Sequence, residues 1–235
     1  IDMPGHPRPL LISDMMVNIV PTLEAKAEIV QNAIDFAHIM GIPEPKVAIL
    51  AGIDTVTPKM RATLDAAALC KMADRGQITG AVLDGPLGVD NALSLTAARG
   101  SHLRSVVAGQ ADVLIAPDLE AGNMMAKLLS FLANADSAGI VLGARVPVVL
   151  TSRADSVRSR IGSCAVALLA AHARRQQLPA VTTAPHGWLR NRAQRWFVEP
   201  QVLNLQRTRR FGLAAGSSGT DRRHRQFPAI HRQRR

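Results

Sequence analysis

Polar side chains follow several of the short apolar runs in this 235-residue chain. Ser13-Asp14, Asp84-Gly85-Pro86, Pro117-Asp118 and Ser152-Arg153 each come directly after such a run. Hydroxyl, carboxylate and guanidinium groups gathered in one place can bind an anionic ligand and exchange protons with it. The alternative is structural, because Asp and Ser at these positions can simply cap the helices that follow.

Strand and helix patterns alternate along the chain and position these residues. Strands are predicted at residues 10–12, 47–50, 80–83, 112–116, 140–142 and 146–150. Helices are predicted at 22–40, 58–74, 120–133 and 155–174, with a further one starting near residue 91. In the second helix, Met60, Leu64, Ala67 and Lys71 follow one stripe imperfectly. Apolar strands separated by helices predict an α/β fold with a mostly parallel sheet and helices on both faces. Ligands bind outside the carboxyl ends of strands in such sheets, where the polar residues lie.

Three motifs in order resemble the phosphate acetyltransferase and butyryltransferase family. The strongest is VAGQADVLIAPDLEAGN at residues 107–123, preceded by DGPL at 84–87 and followed by LTSRADS at 150–156. The resemblance covers about residues 1–175. It implies an isocitrate/isopropylmalate-dehydrogenase-like architecture and the transfer of an acyl group between coenzyme A and phosphate.

The resemblance also assigns catalytic roles after the last strand. Arg153 would bind phosphate or acyl phosphate, which a guanidinium fork matches well. Ser152 would stabilise the oxyanion of the tetrahedral intermediate. Characterised acetyltransferases carry an Asp six residues after this Arg, where this chain has Ser159. Asp155 lies two residues after it, as in the butyryltransferase-like branch, and is either a base for the thiol or a cap of the last helix. The choice between acetyl and butyryl stays open at this point.

Further residues of the matching motifs are predicted to bind substrate. They are Asp84, Gly85, Pro86, Pro117, Asp118, Gly122 and Asn123. Gly122 lets the backbone approach a ligand closely, whereas Asp118 and Glu120 are expected to position neighbours rather than do chemistry. The histidines show no metal spacing and no G-x-G-x-x-G run is present, so we predict no metal site and no bound cofactor. Coenzyme A and acetyl-CoA are expected as substrates, and a dehydrogenase is the enzyme-class alternative on the shared fold.

The net charge of +10 is confined to the end of the chain. Residues 176–235 hold twelve Arg and no Lys, with only Glu199 and Asp221 as acids, so the rest is neutral. We therefore predict two parts: an N-terminally truncated acyltransferase domain at 1–175, and a disordered, frame-shifted tail at 176–235 that is foreign to the family. The alternative is an inactive fragment whose basic tail binds nucleic acid non-specifically. Because residues 1–175 carry no net charge, we do not expect nucleic acid as a partner.

The genetic code sharpens the frame-shift hypothesis. Codons permitted for residues 191–206, read one base later, give TALNAGSSSLKSSIF, which resembles the phosphate-binding N-terminus of acetate kinase. Acetate kinase uses acetyl phosphate, so a neighbouring kinase gene would favour acetyl over butyryl chemistry. Functional coupling to acetate kinase is therefore predicted.

The remaining expectations concern location and assembly. The sequence shows no signal peptide and no apolar run of membrane-spanning length. Cys70 and Cys164 lie in apolar helical patterns, and two buried thiols are expected in a cytoplasmic protein. Family members are longer at the N-terminus and commonly oligomeric. The resemblance therefore implies a homo-oligomer when full length, and weak or absent turnover by this chain alone.

Overall fold

Four short strands form the central sheet of the computed structural model, which describes residues 1–4 and 6–177. They are β1 (Leu11–Ser13), β2 (Lys46–Leu50), β3 (Val82–Leu87) and β4 (Val113–Ile115). All pair in parallel, in the order β1-β4-β2-β3, which confirms the predicted sheet type. The structure describes nothing from position 178 onward, so the predictions for the Arg-rich tail lie outside the described residues.

Six helices surround the strands in this part of the chain. They are α1 (Leu23–Ile39), α2 (Arg61–Asp74), α3 (Val89–Leu93), α4 (Leu95–Gly100), α5 (Leu119–Leu132) and α6 (Val157–Gln177). Thr22 caps α1 by accepting the Ala25 N–H at 3.3 Å, as its residue type suggested. Gly41 follows the end of α1 with a φ of +85°, a conformation that glycine adopts without strain. No helix within residues 1–4 and 6–177 combines the length and apolar character needed to cross a membrane.

Alternate side chains of the strands enter two separate cores. Val47 and Ile49 of β2 pack with α1 and α2 on one face of the sheet. Ala48 and Leu50 of the same strand pack with residues of α3 and α4 on the other face. Because successive side chains of a strand point to opposite faces, both faces need a helical layer. Helices on both faces were predicted, and the structure confirms them.

A buried ion pair joins α1 to α2. Lys26 Nζ lies 2.8 Å from Asp65 Oδ2, and the two side chains are only 7% and 11% exposed. Arg61 Nε lies 3.5 Å from the same oxygen, with most of its side chain in solvent. Lys26 follows the spacing of Leu23 and Val30, so a charged residue occupies a core-facing position of α1. A charge placed there requires a partner.

The apolar stripe predicted for α2 was wrong. The buried face consists of Thr63, Asp65, Ala66 and Leu69, while Leu64 is 43% exposed. Thr63 can lie in the core because its hydroxyl contacts the carbonyl oxygens of Thr57 and Met60 at 2.9 and 2.8 Å. A polar residue whose hydrogen bonds are made to nearby backbone can be buried, but a search for apolar residues at helical spacing does not find it.

Strand β3 is longer than predicted and contains the residues expected to follow it. Asp84, Gly85 and Pro86 lie within β3, which runs on to Leu87. A Cβ atom at Gly85 would lie 2.7 Å from the Ile49 carbonyl oxygen and 2.8 Å from the Ile49 Cβ. Gly85 therefore allows β3 to lie directly against β2.

Gly85→Ala is expected to lower the free energy of unfolding by about 3 kcal/mol, because the new methyl group meets backbone that can yield only by separating β3 from β2. Gly100→Ala is the matched control. Apart from the adjoining residues and the backbone of its own helix, no atom of the described residues lies within 4 Å of the position that a Cβ atom would take at Gly100, so its replacement should change stability by less than about 0.5 kcal/mol. Urea unfolding of both variants measures the difference. Equal effects would contradict the packing role of Gly85.

The last two predicted strands do not extend the parallel sheet. They form β5 (Ile140–Val141) and β6 (Val148–Val149), which pair antiparallel as a separate two-stranded ladder. Val148 and Val149 are 45% and 40% exposed. The apolar character of these runs correctly indicated strands, but it carried no information about which partner each strand would choose.

Candidate active site

The chain wraps around the carboxylate of Asp14 at the carboxyl end of β1. Asp14 Oδ1 accepts the backbone N–H groups of Met16 and Val17 at 2.9 and 3.0 Å. Its Oδ2 accepts the backbone and side-chain N–H groups of Asn18 at 2.8 and 2.7 Å. The carboxylate thus fixes residues 14–18, which we call the β1 loop. The sequence marked Ser13-Asp14 as a strand end but gave no sign of this four-bond arrangement.

The start of α5 packs against the β1 loop. Asp118 caps α5 by accepting the Ala121 N–H at 2.8 Å. Asn123 donates its side-chain N–H to the Met15 carbonyl oxygen at 3.2 Å. A Cβ atom at Gly122 would lie 2.5 Å from the Asp14 carbonyl oxygen, so this glycine permits close contact between α5 and the loop. Asp118 and Asn123 therefore position neighbouring backbone, and Pro117 links β4 to the cap.

The segment after β6 carries the predicted catalytic residues in a tight turn. Asp155 Oδ2 accepts the Ser152 backbone N–H at 2.6 Å, and the Asp155 N–H donates to the Ser152 carbonyl at 3.1 Å. Ser156 Oγ accepts the Ser159 N–H at 3.1 Å just before α6 begins. The capping bond therefore belongs to Ser156, while Asp155 holds the backbone of Ser152.

The side chains of Ser152 and Arg153 face solvent. The Arg153 carbonyl oxygen accepts a hydrogen bond from Arg160 Nη2 at 3.2 Å, which ties the turn to α6. Within residues 1–4 and 6–177, the Arg153 guanidinium forms no ion pair. An exposed guanidinium without a carboxylate partner is available to an anionic ligand.

The β1 loop and the β5–β6 segment line one cleft. Its lining consists of residues 12–17, residues 139–141 and Leu150. Leu150 precedes Ser152 by two residues, so their Cα atoms are separated by no more than about 7 Å. Ser152 and Arg153 thus follow the lining in the chain without belonging to it, and Gly122 and Asn123 contact the β1 loop.

Asp84, Gly85 and Pro86 lie away from this cleft. Strands β4 and β2 separate β3 from β1, and three strand spacings amount to about 14 Å. The Asp84 carboxylate accepts the Gly85 N–H at 2.8 Å, and Pro86 is buried. The predicted site residues therefore form two groups, one around the cleft and one on the far edge strand.

The two cysteines differ in their surroundings. Cys70 packs behind β3, with its Sγ 3.8 Å from the Gly85 carbonyl oxygen. Burial, together with the nearby Asp84 and Asp74 carboxylates, raises the pKa of the Cys70 thiol to about 12. Cys164 is exposed on α6, so the expectation that both thiols are buried was wrong. Nearby apolar residues of the same helix are exposed too, such as Leu168 at 72% and Leu169 at 50%.

Iodoacetamide at pH 8 should alkylate Cys164 at least about 100-fold faster than Cys70, because the thiolate is the reacting species. Raising the pH to 10 should leave Cys70 largely unmodified, since its thiol loses the proton only near pH 12. Peptide mass spectrometry after timed quenching gives both rates. Denaturation in urea provides the control, because it should bring the two rates within a few-fold of each other. Comparable rates in the folded protein would refute this difference.

Among the described residues, no three His, Cys, Asp or Glu side chains are grouped closely enough to hold a metal ion. The chemistry available at the turn of residues 152–155 is that of a hydroxyl, a guanidinium and a carboxylate. Together these groups can bind an anion, donate to a developing oxyanion and accept a proton.

Comparison with known proteins identifies the family. A sequence profile described as Phosphate acetyl/butaryl transferase matches residues 3–168. A phosphate acetyltransferase of Rhizobium meliloti is 61% identical over 182 residues, which cover 77% of this chain and 58% of that protein. A phosphate butyryltransferase of Clostridium acetobutylicum is 46% identical over 164 residues, covering 70% of this chain and 54% of that protein.

A solved structure agrees with these sequence matches. The crystal structure of a branched-chain phosphotransacylase from Enterococcus faecalis V583 aligns with a TM-score of 0.67 and 33% identity, over 73% of this chain and 61% of that one. The chain spans 58% and 54% of the length of the two curated relatives. With its fold, its three motifs and these matches, the chain belongs to the phosphate acetyl/butyryl transferase family.

Proposed function

We propose that the protein transfers an acyl group between coenzyme A and phosphate, with acetyl-CoA as the preferred thioester and acetyl phosphate as the product. The observation that carries this proposal is the Ser152-Arg153 turn, which presents an exposed hydroxyl and an exposed guanidinium just after Leu150, a residue that lines the cleft. The family's members include named phosphate acetyltransferases and phosphate butyryltransferases, which supports the same reaction class here.

Each residue of the turn has a distinct role in the proposed reaction. Arg153 binds the phosphate that attacks the thioester carbonyl, and Ser152 donates to the oxyanion of the tetrahedral intermediate. Collapse of that intermediate breaks the carbon–sulfur bond and releases the CoA thiolate. Asp155 fixes the Ser152 amide through Oδ2, and its Oδ1 accepts the proton that the attacking phosphate loses and passes it to the CoA thiolate. In the reverse direction the same oxygen removes that proton before the thiol attacks acetyl phosphate.

The second group of residues is proposed to act at a distance from the reacting atoms. Asp84, Gly85 and Pro86 shape the edge strand β3, where the long coenzyme A molecule can still reach. Gly122 and Asn123 hold the β1 loop in place, as their contacts with Asp14 and Met15 support, while Pro117 and Asp118 set the start of the helix that carries them. We propose no bound cofactor, because coenzyme A serves as substrate.

The assembly proposed is a homo-oligomer. Met124, Leu128 and Phe131 lie at helical spacing on α5 and are 64%, 57% and 70% exposed. An exposed apolar stripe of this kind favours burial against another protein surface. A monomeric mass in analytical ultracentrifugation of the complete gene product would contradict this assembly.

The setting proposed is the cytoplasm, with coupling to acetate kinase and without a membrane or nucleic-acid partner. Acetate kinase would consume the acetyl phosphate, and the shifted-frame similarity in residues 191–206 supports its gene being adjacent. Nucleotide sequence across residues 173–211 tests this coupling, because the absence of a kinase reading frame there would remove its support.

Incubation of the complete gene product with acetyl-CoA and phosphate tests the proposed function. We expect release of free CoA thiol and formation of acetyl phosphate in equal amounts, and faster turnover with acetyl-CoA than with butyryl-CoA. Arsenate in place of phosphate should release CoA without accumulating acyl phosphate, because acyl arsenate hydrolyses. Failure to convert either thioester would refute the proposal.

A further inference from the structure

The segment that carries Ser152 and Arg153 connects β6 to α6. Leu150 opens it directly after β6, and α6 begins at Val157. The side chains of Ser152 and Arg153 are exposed, so packing inside a core does not fix the direction in which they point. That direction depends instead on the bonds that hold the backbone of the segment.

One end of the segment is anchored to α6 through Gly139. The Leu150 N–H donates to the Gly139 carbonyl oxygen at 3.3 Å, and a Cβ atom at Gly139 would lie 2.7 Å from the Leu150 carbonyl oxygen. The Gly139 N–H in turn donates to Ser163 Oγ at 2.9 Å. Ser163 lies on α6 and is 1% exposed. The start of the segment is therefore held at a fixed place relative to this helix.

The other end is anchored by Arg160 of α6. Its Nη2 donates to the Arg153 carbonyl oxygen at 3.2 Å, so the side chain reaches back over seven residues. Arg160 precedes Ser163 by three residues, and positions three apart are neighbours on a helix surface. Arg160 is exposed and forms no ion pair within the part of the chain that the structure describes. No carboxylate there competes with the Arg153 carbonyl for its guanidinium.

Arg158 lies two residues earlier on α6 and makes a different contact. Its Nη2 lies 3.0 Å from Asp136 Oδ2, and its side chain is 80% exposed. Residues two apart on a helix do not face each other. Of these two exposed arginines, only Arg160 is bonded to the turn that carries Ser152 and Arg153.

We propose that Arg160 is a positioning residue, which holds the Arg153 carbonyl and so fixes the direction in which the Arg153 guanidinium leaves the turn. The inference rests on the proposed function, because it takes Arg153 to bind the attacking phosphate. The bond contributes little to folding stability, since water can satisfy an exposed carbonyl when the bond is absent. A small misplacement of a group that orients a reactant is nevertheless costly in rate. Loss of the bond therefore lowers turnover without lowering stability.

Arg160→Met tests the inference in the complete gene product, because methionine keeps an unbranched side chain and removes every donor. The kcat for acetyl transfer from acetyl-CoA to phosphate should fall about tenfold, and the KM for acetyl-CoA should change by less than about twofold. The midpoint of urea unfolding should not move. Arg160→Lys keeps a charged donor near the same carbonyl and should return kcat to within about threefold of the unsubstituted protein. Arg158→Met is the matched control and should leave kcat unchanged.

A double substitution shows whether Arg160 acts through Arg153. Arg153→Ala leaves no guanidinium to orient, so adding Arg160→Met to that variant should lower its residual rate by less than about twofold. A further tenfold loss in the double variant would overturn the inference, as would an unchanged kcat in Arg160→Met or a fall in its unfolding midpoint that accounts for the lost rate. Each of these results leaves the proposed function intact. Absence of turnover with any acyl-CoA in the unsubstituted protein would overturn both.

Discussion

Replacing Arg153 with alanine should lower the rate of acetyl transfer from acetyl-CoA to phosphate about 100- to 1,000-fold in the complete gene product. The guanidinium is exposed and forms no ion pair within residues 1–4 and 6–177. Phosphate is multiply anionic, and a guanidinium can hold two of its oxygens while it approaches the thioester. Without that clamp, the nucleophile loses both its orientation and its charge compensation.

Two further substitutions separate the clamp from general effects of charge. Arg153→Lys keeps the positive charge but loses the planar fork, so it should recover only a small part of the lost activity. Arg75→Ala removes an exposed arginine that follows α2 at the other edge of the sheet, and it should leave turnover unchanged. The KM for phosphate should rise in the Arg153 variants more than the KM for acetyl-CoA. Normal kinetics in Arg153→Ala would exclude this residue from the site.

The second large effect is expected on stability, from Asp65→Asn. This change removes the negative charge that faces Lys26 Nζ at 2.8 Å between α1 and α2. Removing one member of a buried ion pair leaves an uncompensated charge and typically costs about 3–5 kcal/mol. The midpoint of urea unfolding should fall accordingly, while the slope of the transition should stay nearly constant because the surface exposed on unfolding is unchanged.

The chain contains its own comparison for this prediction. Lys71 and Asp74 form an ion pair at 3.0 Å on the surface of α2, with side chains 65% and 64% exposed. Asp74→Asn should therefore change the free energy of unfolding by less than about 1 kcal/mol. The double substitution Lys26→Met with Asp65→Leu should recover most of the stability that Asp65→Asn loses, because two apolar side chains leave no charge in the core. A loss in Asp65→Asn no greater than that in Asp74→Asn would contradict a stabilising role for the buried pair.

Local signals in the sequence were sufficient for most of the fold. The alternation of apolar strands and helices correctly predicted a parallel sheet covered on both faces. Thr22 and Gly41 correctly bounded α1, because capping and a positive φ depend on the residues immediately around them. The isocitrate/isopropylmalate-dehydrogenase-like architecture stays a prediction of the family resemblance.

Features that depend on distant residues were not predictable. The extension of β3 through Gly85 depends on how closely Ile49 approaches, and that distance is invisible in the sequence. The Lys26–Asp65 pair joins residues 39 positions apart. A signal for it did exist, since a lysine at a core-facing position of α1 requires an acidic partner, but the sequence did not say which one.

The candidate site divides in the same way, into residues that a local motif predicts and positions that depend on distant parts of the chain. Ser152, Arg153 and Asp155 were predicted from a contiguous motif, and the structure places them in one turn that follows Leu150 of the cleft lining. Asp84 was predicted from a motif in the same way, yet two strands lie between it and β1. A motif identifies which residues matter to a family, whereas the strand order decides which of them share a cleft.

The strand order also constrains how the chain can fold. β2, α2 and β3 are consecutive and can assemble early, because their pairing closes only short loops. Within residues 1–4 and 6–177, β1 pairs with β4 alone, and Leu11 pairs with Val113 about a hundred residues later. We therefore expect β1 to dock only after most of this sheet has formed. We also expect the β1 loop to be completed late in folding and to be among the first parts to open when the native state fluctuates.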